Sequence, residues 1–323
     1  MTDKDSATAR RSIALSGPGL ALLGVLAFSF SFPGAHYALD GLDPYLVGVG
    51  RAAVAALLAA GALAAVTARP PARHQIRGLL AVGLGVVFGF PVLSTLALDA
   101  GASVSHSAVV IGLLPAATAI TASLRTGERP SRGFWAAAAV GALTITVFTV
   151  AEGGGRLTSA DLLLVGALLT AAYGYAEGGR LSREMPGWRV ISWALVLATP
   201  VSVPVTLVLM STTEQHWTRE AVLGFGYVSA FSMFLGFFAW YAGMGRIGVA
   251  RASQFQLAQP IMTLVWSAWL LGEHLDGLTW PAALVVAICV AWSQRARVRT
   301  SPPASAPAGG ERSPVAARPT MKG

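Results

Sequence analysis

The chain has 323 residues, of which 54% are hydrophobic and 12% are charged, and it carries a net charge of +8 with a mean hydropathy of +0.61. Soluble domains contain about 25% charged residues, so a single soluble globular domain is excluded because too few charges are present to cover its surface. The one cysteine, Cys289, cannot form an internal disulfide.

Ten long segments without Asp, Glu, Lys or Arg follow one another along the chain. They cover residues 12–39, 52–68, 78–98, 100–124, 133–151, 162–176, 190–213, 221–245, 252–272 and 277–294. A helix needs about 20 mostly apolar residues to cross a bilayer, and all but two of these segments reach or approach that length. The segments 52–68 and 162–176 are shorter and can cross only if each includes a charge near one end. The pattern therefore predicts an all-α integral membrane protein with ten transmembrane helices.

Two other interpretations of the apolar segments fail. A transmembrane β-barrel requires short strands that alternate apolar and polar residues, and these segments are continuously apolar. The first segment follows Lys4, Arg10 and Arg11, as a signal peptide would, but it is far longer than an ordinary signal core. We therefore expect a retained first helix.

The positive charges lie mostly on one side of the predicted membrane domain. If the segments cross alternately, 19 of the 23 Lys and Arg residues fall on that side. The positive-inside rule then predicts a multi-pass protein of the cell (inner) membrane with both termini in the cytoplasm. This distribution accounts for the net charge, so we expect no nucleic-acid partner. Residues 1–11 and the Pro-, Ala-, Ser- and Gly-rich residues 295–323 are predicted to be cytoplasmic tails, the second of them disordered.

The chain also repeats itself at an offset of 145 residues. At this offset Pro115 falls on Pro260, and Gly127-Glu128 falls on Gly272-Glu273. The repeats predict two units of five helices, residues 12–151 and 159–294, and an odd number of crossings inverts the second unit relative to the first. Inverted repeats are typical of secondary transporters. The alternative is an old duplication in a membrane protein of another function.

These residues resemble a known family. Pro115 with Gly127-Glu128, and Pro260 with Gly272-Glu273, are similar to the paired signatures of the drug/metabolite transporter superfamily, in its EamA-type ten-helix branch. The segment from Pro44 to Arg51 resembles the second-helix pattern of that family, whereas Phe28-Ser29 replaces its usual Trp-Gly. The resemblance implies export or exchange of small metabolites, amino acids or drugs. It implies no ATP hydrolysis, which agrees with the lack of a G-x-x-x-x-G-K-[ST] motif, and we expect no cofactor, metal or catalytic residue.

The ninth segment has the densest row of polar residues. Gln256, Gln259, Thr263 and Ser267 recur at helical spacing, and only the threonine has a polar equivalent in the other repeat, Thr118. We expect Gln256, Gln259 and Thr263 to line a substrate cavity. The alternative is that they hydrogen-bond to neighbouring helices, as polar residues in membrane bundles often do.

Three further residues are candidates for the cavity. Ser232 lies on the eighth segment, where a small residue can instead allow close helix packing. Trp240 could stack on a substrate or lie in the interfacial aromatic belt. Tyr173, with Tyr175 beside it on the sixth segment, is a candidate for contact with a polar ligand.

Three ionisable residues within the apolar zone are candidates for proton coupling or charge pairing. Arg51 either reaches the outer headgroups or pairs with a carboxylate or with free carbonyls. His106 is the best candidate for coupling to protons, because histidine titrates near neutral pH, although a lone histidine is more often structural. Glu177 is expected to pair with Arg180, and a proton relay is the alternative. Glu128 and Glu273 are expected to cap the helices that follow them, and the family resemblance implies that they hold the hairpin and do not touch the substrate.

Prolines inside the predicted helices can kink them. Because Pro115 and Pro260 are related by the repeat, we expect them to be the hinges of the transporter. The rival function is a membrane-embedded enzyme or a sensor. An enzyme would require a converging set of catalytic residues, and no H-E-x-x-H or G-x-S-x-G motif is present.

Overall fold

The computed structural model describes residues 16–126, 131–152, 156–247, 252, 255–275 and 277–296, and all regular structure within them is helical. Eight helices are long and apolar enough to cross a membrane: α1 (Gly17–Leu39), α2 (Leu46–Ala65), α3 (Arg73–Asp99), α4 (Val104–Arg125), α5 (Arg132–Ala151), α6 (Ser159–Leu181), α7 (Gly187–Thr212) and α8 (Arg219–Ile247). Two shorter helices follow, α9 (Ala258–Leu270) and α10 (Thr279–Ala296). The prediction of an all-α, multi-pass membrane protein is confirmed.

Charges enter the two helices whose apolar segments were too short. Helix α2 includes Arg51, and helix α6 includes Asp161 near its start and Glu177 near its end. Helix α10 continues to Ala296, so the helix ends two residues inside the segment that was predicted as a tail. The remainder of both predicted tails lies outside the described residues.

Helix starts follow from the local sequence. The first backbone N–H groups of a helix lack an intrahelical acceptor, and a Ser or Thr side chain supplies one. Ser103 caps α4 by accepting a hydrogen bond from the His106 N–H at 3.0 Å. Thr158 caps α6, where the Asp161 carboxylate accepts a return bond from the Thr158 N–H at 2.7 Å.

Large apolar side chains cover much of the outer surface. Leu57, Leu124 and Trp269 are 73%, 74% and 74% exposed, which would be unfavourable in water over so large an area. Helix α7 is the most peripheral of the eight long helices, and α4 is the most deeply enclosed. The exposed surface therefore suits lipid, and the polar groups are concentrated inside.

The first five helices pack on the last five in a symmetrical set of pairs. The helix α1 packs on α8 and α3 packs on α6, while α2 pairs with α7, α4 with α9 and α5 with α10. The repeat relates each of the first five helices to the helix five positions later, for example α1 to α6. When every helix is replaced by its equivalent, the pairs α1–α8 and α3–α6 change into one another, and the other three pairs are unchanged. The set of pairs is thus unchanged by this replacement, which is what a two-fold relationship between the repeats requires.

Three helices contain π-helical turns. They comprise Leu46–Gly50 in α2, Gly83–Gly89 in α3 and Val228–Leu235 in α8. The offset of 145 residues places residues 83–89 on residues 228–234, so the turns in α3 and α8 are equivalent by the repeat. Such turns are rare and often adjoin functional sites.

A short turn breaks the helical structure just before each of the two repeat-related prolines. A turn at Gly112 and Leu113 divides α4 ahead of Pro115, and a turn at Gln256 and Leu257 precedes α9 and Pro260. Proline has no N–H and its ring collides with the carbonyl four residues earlier. The two prolines thus account for both interruptions.

Candidate functional site

Two adjoining cavities lie in the middle of the helix bundle. The larger, which we name the Arg51 cavity, has a volume of about 440 Å³ and is lined by residues of α1, α2, α3, α4, α6, α8 and α9. The smaller, which we name the Gln256 cavity, has a volume of about 270 Å³. Leu114 and Gln259 line both. Helices from both repeats therefore enclose one central site.

The irregular parts of the helices surround these cavities. Val86 and Ser232 project into the Arg51 cavity from the π-helical turns of α3 and α8, and Arg51 directly follows the turn in α2. Pro115 and Pro260 line the Gln256 cavity beside the interruptions of α4 and α9. Irregular backbone within a membrane is tolerated where it lines a cavity or is buried in protein, so its convergence here marks the site.

Gln256, in the turn before α9, and Gln259 and Thr263 of α9 all line the Gln256 cavity. Gln256 is buried, and its side-chain Nε2 has no hydrogen-bond partner among the described residues. Thr263 donates a hydrogen bond to the Ser29 carbonyl at 2.9 Å, which ties this helix to α1. Gln256 and Gln259 thus face the cavity, whereas Thr263 both faces it and bonds to a neighbouring helix. The equivalent Thr118 hydroxyl is buried without a partner in the described structure.

Ser232 also lines the Arg51 cavity. Its hydroxyl lies 2.6 Å from the hydroxyl of Ser31, which lines the same cavity from α1. This contact joins α1 to α8, the most extensively packed pair of helices. Ser232 therefore serves helix packing and also offers a hydroxyl to the cavity.

Aromatic rings form a layer on one side of the Arg51 cavity. Trp240 is 1% exposed and packs behind Phe28 and Tyr175, with ring centroids 6.2 Å and 6.4 Å away. Phe28, Tyr175 and Phe237 line the cavity, and Trp240 is not among its lining residues. The structure thus places Trp240 neither at the membrane surface nor on the cavity wall, because the other rings separate it from the cavity.

Tyr173 is not brought to the site. Its side chain is 42% exposed, and the Arg125 guanidinium lies 5.2 Å from its ring centroid. Tyr175 lines the cavity instead. Two residues correspond to about 200° around a helix, so only one of the two tyrosines can face the interior.

Arg51 meets neither expectation about its partners. It is 2% exposed, so it does not reach the headgroups. Among the described residues, its Nε and Nη2 atoms have no hydrogen-bond partner, and no carboxylate forms an ion pair with it. The guanidinium lines the Arg51 cavity as its one charged group among the described residues.

His106 is paired. Its Nε2 lies 2.7 Å from a carboxylate oxygen of Asp161, and both side chains are buried. The imidazole also stacks on Phe148 at 5.3 Å. This pair joins α4 to α6 and lines a cavity of about 540 Å³ near the starts of both helices. His106 is therefore not a lone histidine, and Asp161 was missed as its partner because the two are 55 residues apart.

Glu177 lies in a network at the opposite ends of the same helices. Its side chain is 2% exposed and pairs with Arg125 at 2.5 Å and Arg180 at 3.1 Å. Arg180 also pairs with Glu184 at 2.5 Å. The Gln75 side chain donates a hydrogen bond to Glu184 and, with the neighbouring Arg180 and His74, lowers the pKa of that carboxyl below its ordinary value. The expected Glu177–Arg180 pair is present, and Arg125 from the first repeat completes it.

Glu273 joins the two repeats at the other end of the molecule. Its carboxylate accepts hydrogen bonds from the N–H groups of Val104 at 2.8 Å and Ser105 at 2.9 Å. The expectation that Glu273 caps the helix after it is wrong, because it caps α4. Gly272 has φ +65°, a left-handed conformation that glycine adopts at little cost, and this turn directs Glu273 back to α4. The equivalent Gly127-Glu128 lies outside the described residues.

Comparison with known proteins identifies relatives over most of the chain. The model of the EamA-like transporter family matches residues 15–150 and again residues 158–293. The "Uncharacterized transporter YdeK" of Bacillus subtilis (strain 168) is 40% identical over 276 residues, which are 84% of this chain and 95% of that protein. A "Probable terminal-alkyne amino-acid exporter" of Streptantibioticus cattleyicolor is 24% identical over 254 residues, which are 77% of this chain and 84% of that protein.

A solved crystal structure shares the fold. It superposes with a TM-score of 0.62 at 16% sequence identity, over 86% of this chain and 97% of that one. At this identity the likeness concerns the arrangement of helices alone.

Proposed function

This chain belongs to the EamA-like transporter family of the drug/metabolite transporter superfamily, and we propose that it is a secondary transporter that moves small metabolites, amino acids or drugs by alternating access. One observation carries the proposal. A buried cavity with unpartnered polar groups lies where helices of both matched regions meet. Such midplane sites between repeats are typical of secondary transporters.

The proposed architecture is ten crossings in two inverted units, residues 12–151 and 159–294. The symmetrical helix pairs and the repeat-related π-helical turns support it. In this arrangement the Glu177 network faces the cytoplasm with both chain termini, and Glu273 faces the other side of the cell membrane.

Alternating access requires that each end of the cavity can close. A carboxylate contact joins the two units at each end: Glu177 pairs with Arg125 at one, and Glu273 accepts backbone hydrogen bonds from α4 at the other. We propose that these contacts separate in turn while α4 and α9 bend at their interruptions. Pro115 and Pro260 are the proposed hinges. Unchanged transport and unchanged accessibility of both ends in Pro115→Ala and Pro260→Ala would reject that role.

The proposed direction is export or exchange. It is supported by the relative whose name describes an amino-acid exporter. Proton coupling through His106 is the accompanying proposal, because its contact with Asp161 crosses between the units and adjoins Glu273 through the start of α4. Protonation of this buried pair alters its charge and thereby the contact between α4 and α6.

The test is flux through purified protein in liposomes. The protein is expected to release or take up solutes from a mixture of metabolites faster than empty liposomes do. A pH gradient is expected to change the rate for the wild type and to have little effect on His106→Gln. If no solute crosses faster than in empty liposomes, the transporter proposal is rejected.

The cavity residues are tested in the same assay. Gln256→Ala and Gln259→Ala are expected to lower flux while folded protein remains in the membrane. Thr146→Ala, on the exposed face of α5, is the control and is expected to transport normally. Normal flux in both glutamine variants would remove them from the site.

A further inference from the structure

Arg51 is a buried charge with no hydrogen-bond or ion-pair partner among the described residues. Its side chain is 2% exposed, and two of its nitrogen atoms, Nε and Nη2, are buried without an acceptor in the described structure. Buried charges in proteins are ordinarily paired, because an isolated charge in low-dielectric surroundings is costly. The guanidinium remains protonated in proteins. Arg51 therefore has donors that no described residue uses, and the residue lines the cavity.

The rest of the Arg51 cavity complements a negative charge. The other polar groups on its wall are neutral: the hydroxyls of Ser31, Tyr175 and Ser232 and the amide of Gln259. Among the described residues, no Asp or Glu lines either central cavity. An organic cation would meet the charge of Arg51 with no carboxylate to offset it, whereas an anion would find a matching donor.

The remaining wall is apolar and largely aromatic. Phe28, Phe90, Phe237 and Met233 line the cavity, and Phe28 and Phe237 are in contact with centroids 4.7 Å apart. A fitting ligand therefore has a carboxylate at one end and an apolar or aromatic group at the other.

We propose that Arg51 binds the carboxylate of the transported solute, and that the substrates are small carboxylates with an apolar or aromatic group. This inference rests on the proposed transport function and specifies its substrate. The planar guanidinium presents a fork of donors that matches a carboxylate in bidentate geometry. An α-amino group would meet only neutral groups, so amino acids and simple organic acids share the required chemistry.

Four probes with the same phenyl group test the inference. They are 3-phenylpropionate, phenylalanine, 3-phenylpropanamide and phenethylamine, which are respectively an anion, a zwitterion, a neutral amide and a cation. Binding to purified full-length protein is measured by ligand-induced shifts in melting temperature, and flux is measured in liposomes. We expect 3-phenylpropionate and phenylalanine to bind and cross, and the amide and the amine to bind at least 10-fold more weakly.

Variants of Arg51 assign the effect to its side chain. Arg51→Gln is expected to weaken binding of 3-phenylpropionate about 10- to 100-fold and to abolish the preference over the amide. Arg51→Lys keeps the charge but loses the fork, so an intermediate affinity is expected. Arg69→Gln removes an equal charge from an exposed position after the other end of α2 and is expected to bind as the wild type does.

Several results would overturn the inference. They are equal binding of the amine and the carboxylate, unchanged carboxylate binding by a folded Arg51→Gln, and binding of none of the four probes. Transport of the amide or amine without the carboxylate would leave the transporter function intact and reject the role of Arg51. If no solute crosses but carboxylate binding still depends on Arg51, the transport proposal is rejected and the inference that Arg51 binds carboxylates is retained.

Discussion

Glu177 and Arg51 are both buried charges within long apolar helices, yet their surroundings are opposite. Glu177 has two arginine partners, one from each repeat, and lies at one end of the bundle. Arg51 lies beside the central cavity and has no ion-pair partner among the described residues. A paired buried charge can hold helices together, whereas an unpaired one costs stability. The difference separates a residue that joins the two repeats from one that we propose to bind a ligand.

The largest effect is expected from removing the charge of Glu177. In Glu177→Gln both arginines lose a carboxylate at hydrogen-bonding distance. Loss of one partner of a buried pair costs about 3–5 kcal/mol, and we expect about 1–3 kcal/mol here because the arginines are partly exposed and can be hydrated. Thermal unfolding in detergent measures it as a lower melting temperature.

Asp99→Asn is the control for this variant, because Asp99 is an exposed carboxylate at the end of α3. Its free energy of unfolding is expected to lie within about 0.5 kcal/mol of the wild-type value. If Glu177→Gln melts as Asp99→Asn does, the network does not hold the two repeats together.

The opposite sign is expected at Arg51. In Arg51→Met an apolar chain of similar length replaces a charge that has no partner to lose. We expect the ligand-free protein to gain about 1 kcal/mol of stability, because residues kept for binding often cost stability. The measurement is the melting temperature without ligand, compared with Arg69→Met. A fall as large as that of Glu177→Gln would mean that Arg51 stabilises the fold, and the contrast between the two residues would be lost.

The sequence predicted part of the surroundings of Glu177 but not those of Arg51. The spacing of Glu177 and Arg180 on one helix is sufficient to indicate their pair, and the structure contains it. Arg125 could not be foreseen, because it is 52 positions earlier and its approach depends on how α4 packs on α6. The sequence likewise could not show that Arg51 has no acidic partner among the described residues. The chain contains Asp and Glu residues at other positions, and only the three-dimensional packing determines whether one of them reaches Arg51.

The choice between Tyr173 and Tyr175 shows a second limit. Helix α6 is apolar on most of its circumference, so its sequence does not indicate which face is buried. Packing against α3 and α4 determines that face and turns Tyr175 inward. By contrast, the polar row from Gln256 to Ser267 has a distinct periodicity, and its residues Gln256 and Gln259 both line the cavity.

A smaller loss of stability is expected from changing Glu273, which joins the two repeats at the end of the bundle opposite to Glu177. Glu273→Gln keeps one carbonyl oxygen, so one of the two N–H groups of α4 loses its acceptor and the charge is lost. The expected cost is about 1 kcal/mol. With Cys289 replaced by Ser, a cysteine introduced at Ala102 is expected to react faster with a membrane-impermeant thiol reagent when Glu273→Gln is present.

Glu220→Gln provides the control, because Glu220 is an exposed acid in the first turn of α8. It is expected to leave labelling at position 102 unchanged. Equal labelling rates in Glu273→Gln and Glu220→Gln would show that the Glu273 contact does not restrict access to this end.

The smallest effect is expected at Glu184, which shares Arg180 with Glu177. Gln75, followed by Arg180 and His74, lowers the pKa of the Glu184 carboxyl below its ordinary value of 4.5. A carboxyl with a lowered folded-state pKa stabilises the protein above the unfolded pKa, and this stabilisation is lost as the pH falls through the folded value. Wild type is therefore expected to melt slightly above Glu184→Gln at pH 7, and the two are expected to converge below pH 4.5.

Exposure explains why this effect is smaller than that at Glu177. The Glu184 side chain is 32% exposed and that of Glu177 is 2% exposed, although both contact the same arginine. Water screens the more exposed pair and leaves it little net energy. Glu214→Gln, in an exposed loop at the other end, controls for loss of one acid. If Glu184→Gln destabilises the protein as much as Glu177→Gln does, the shared Arg180, and not the burial of Glu177, determines the strength of the network.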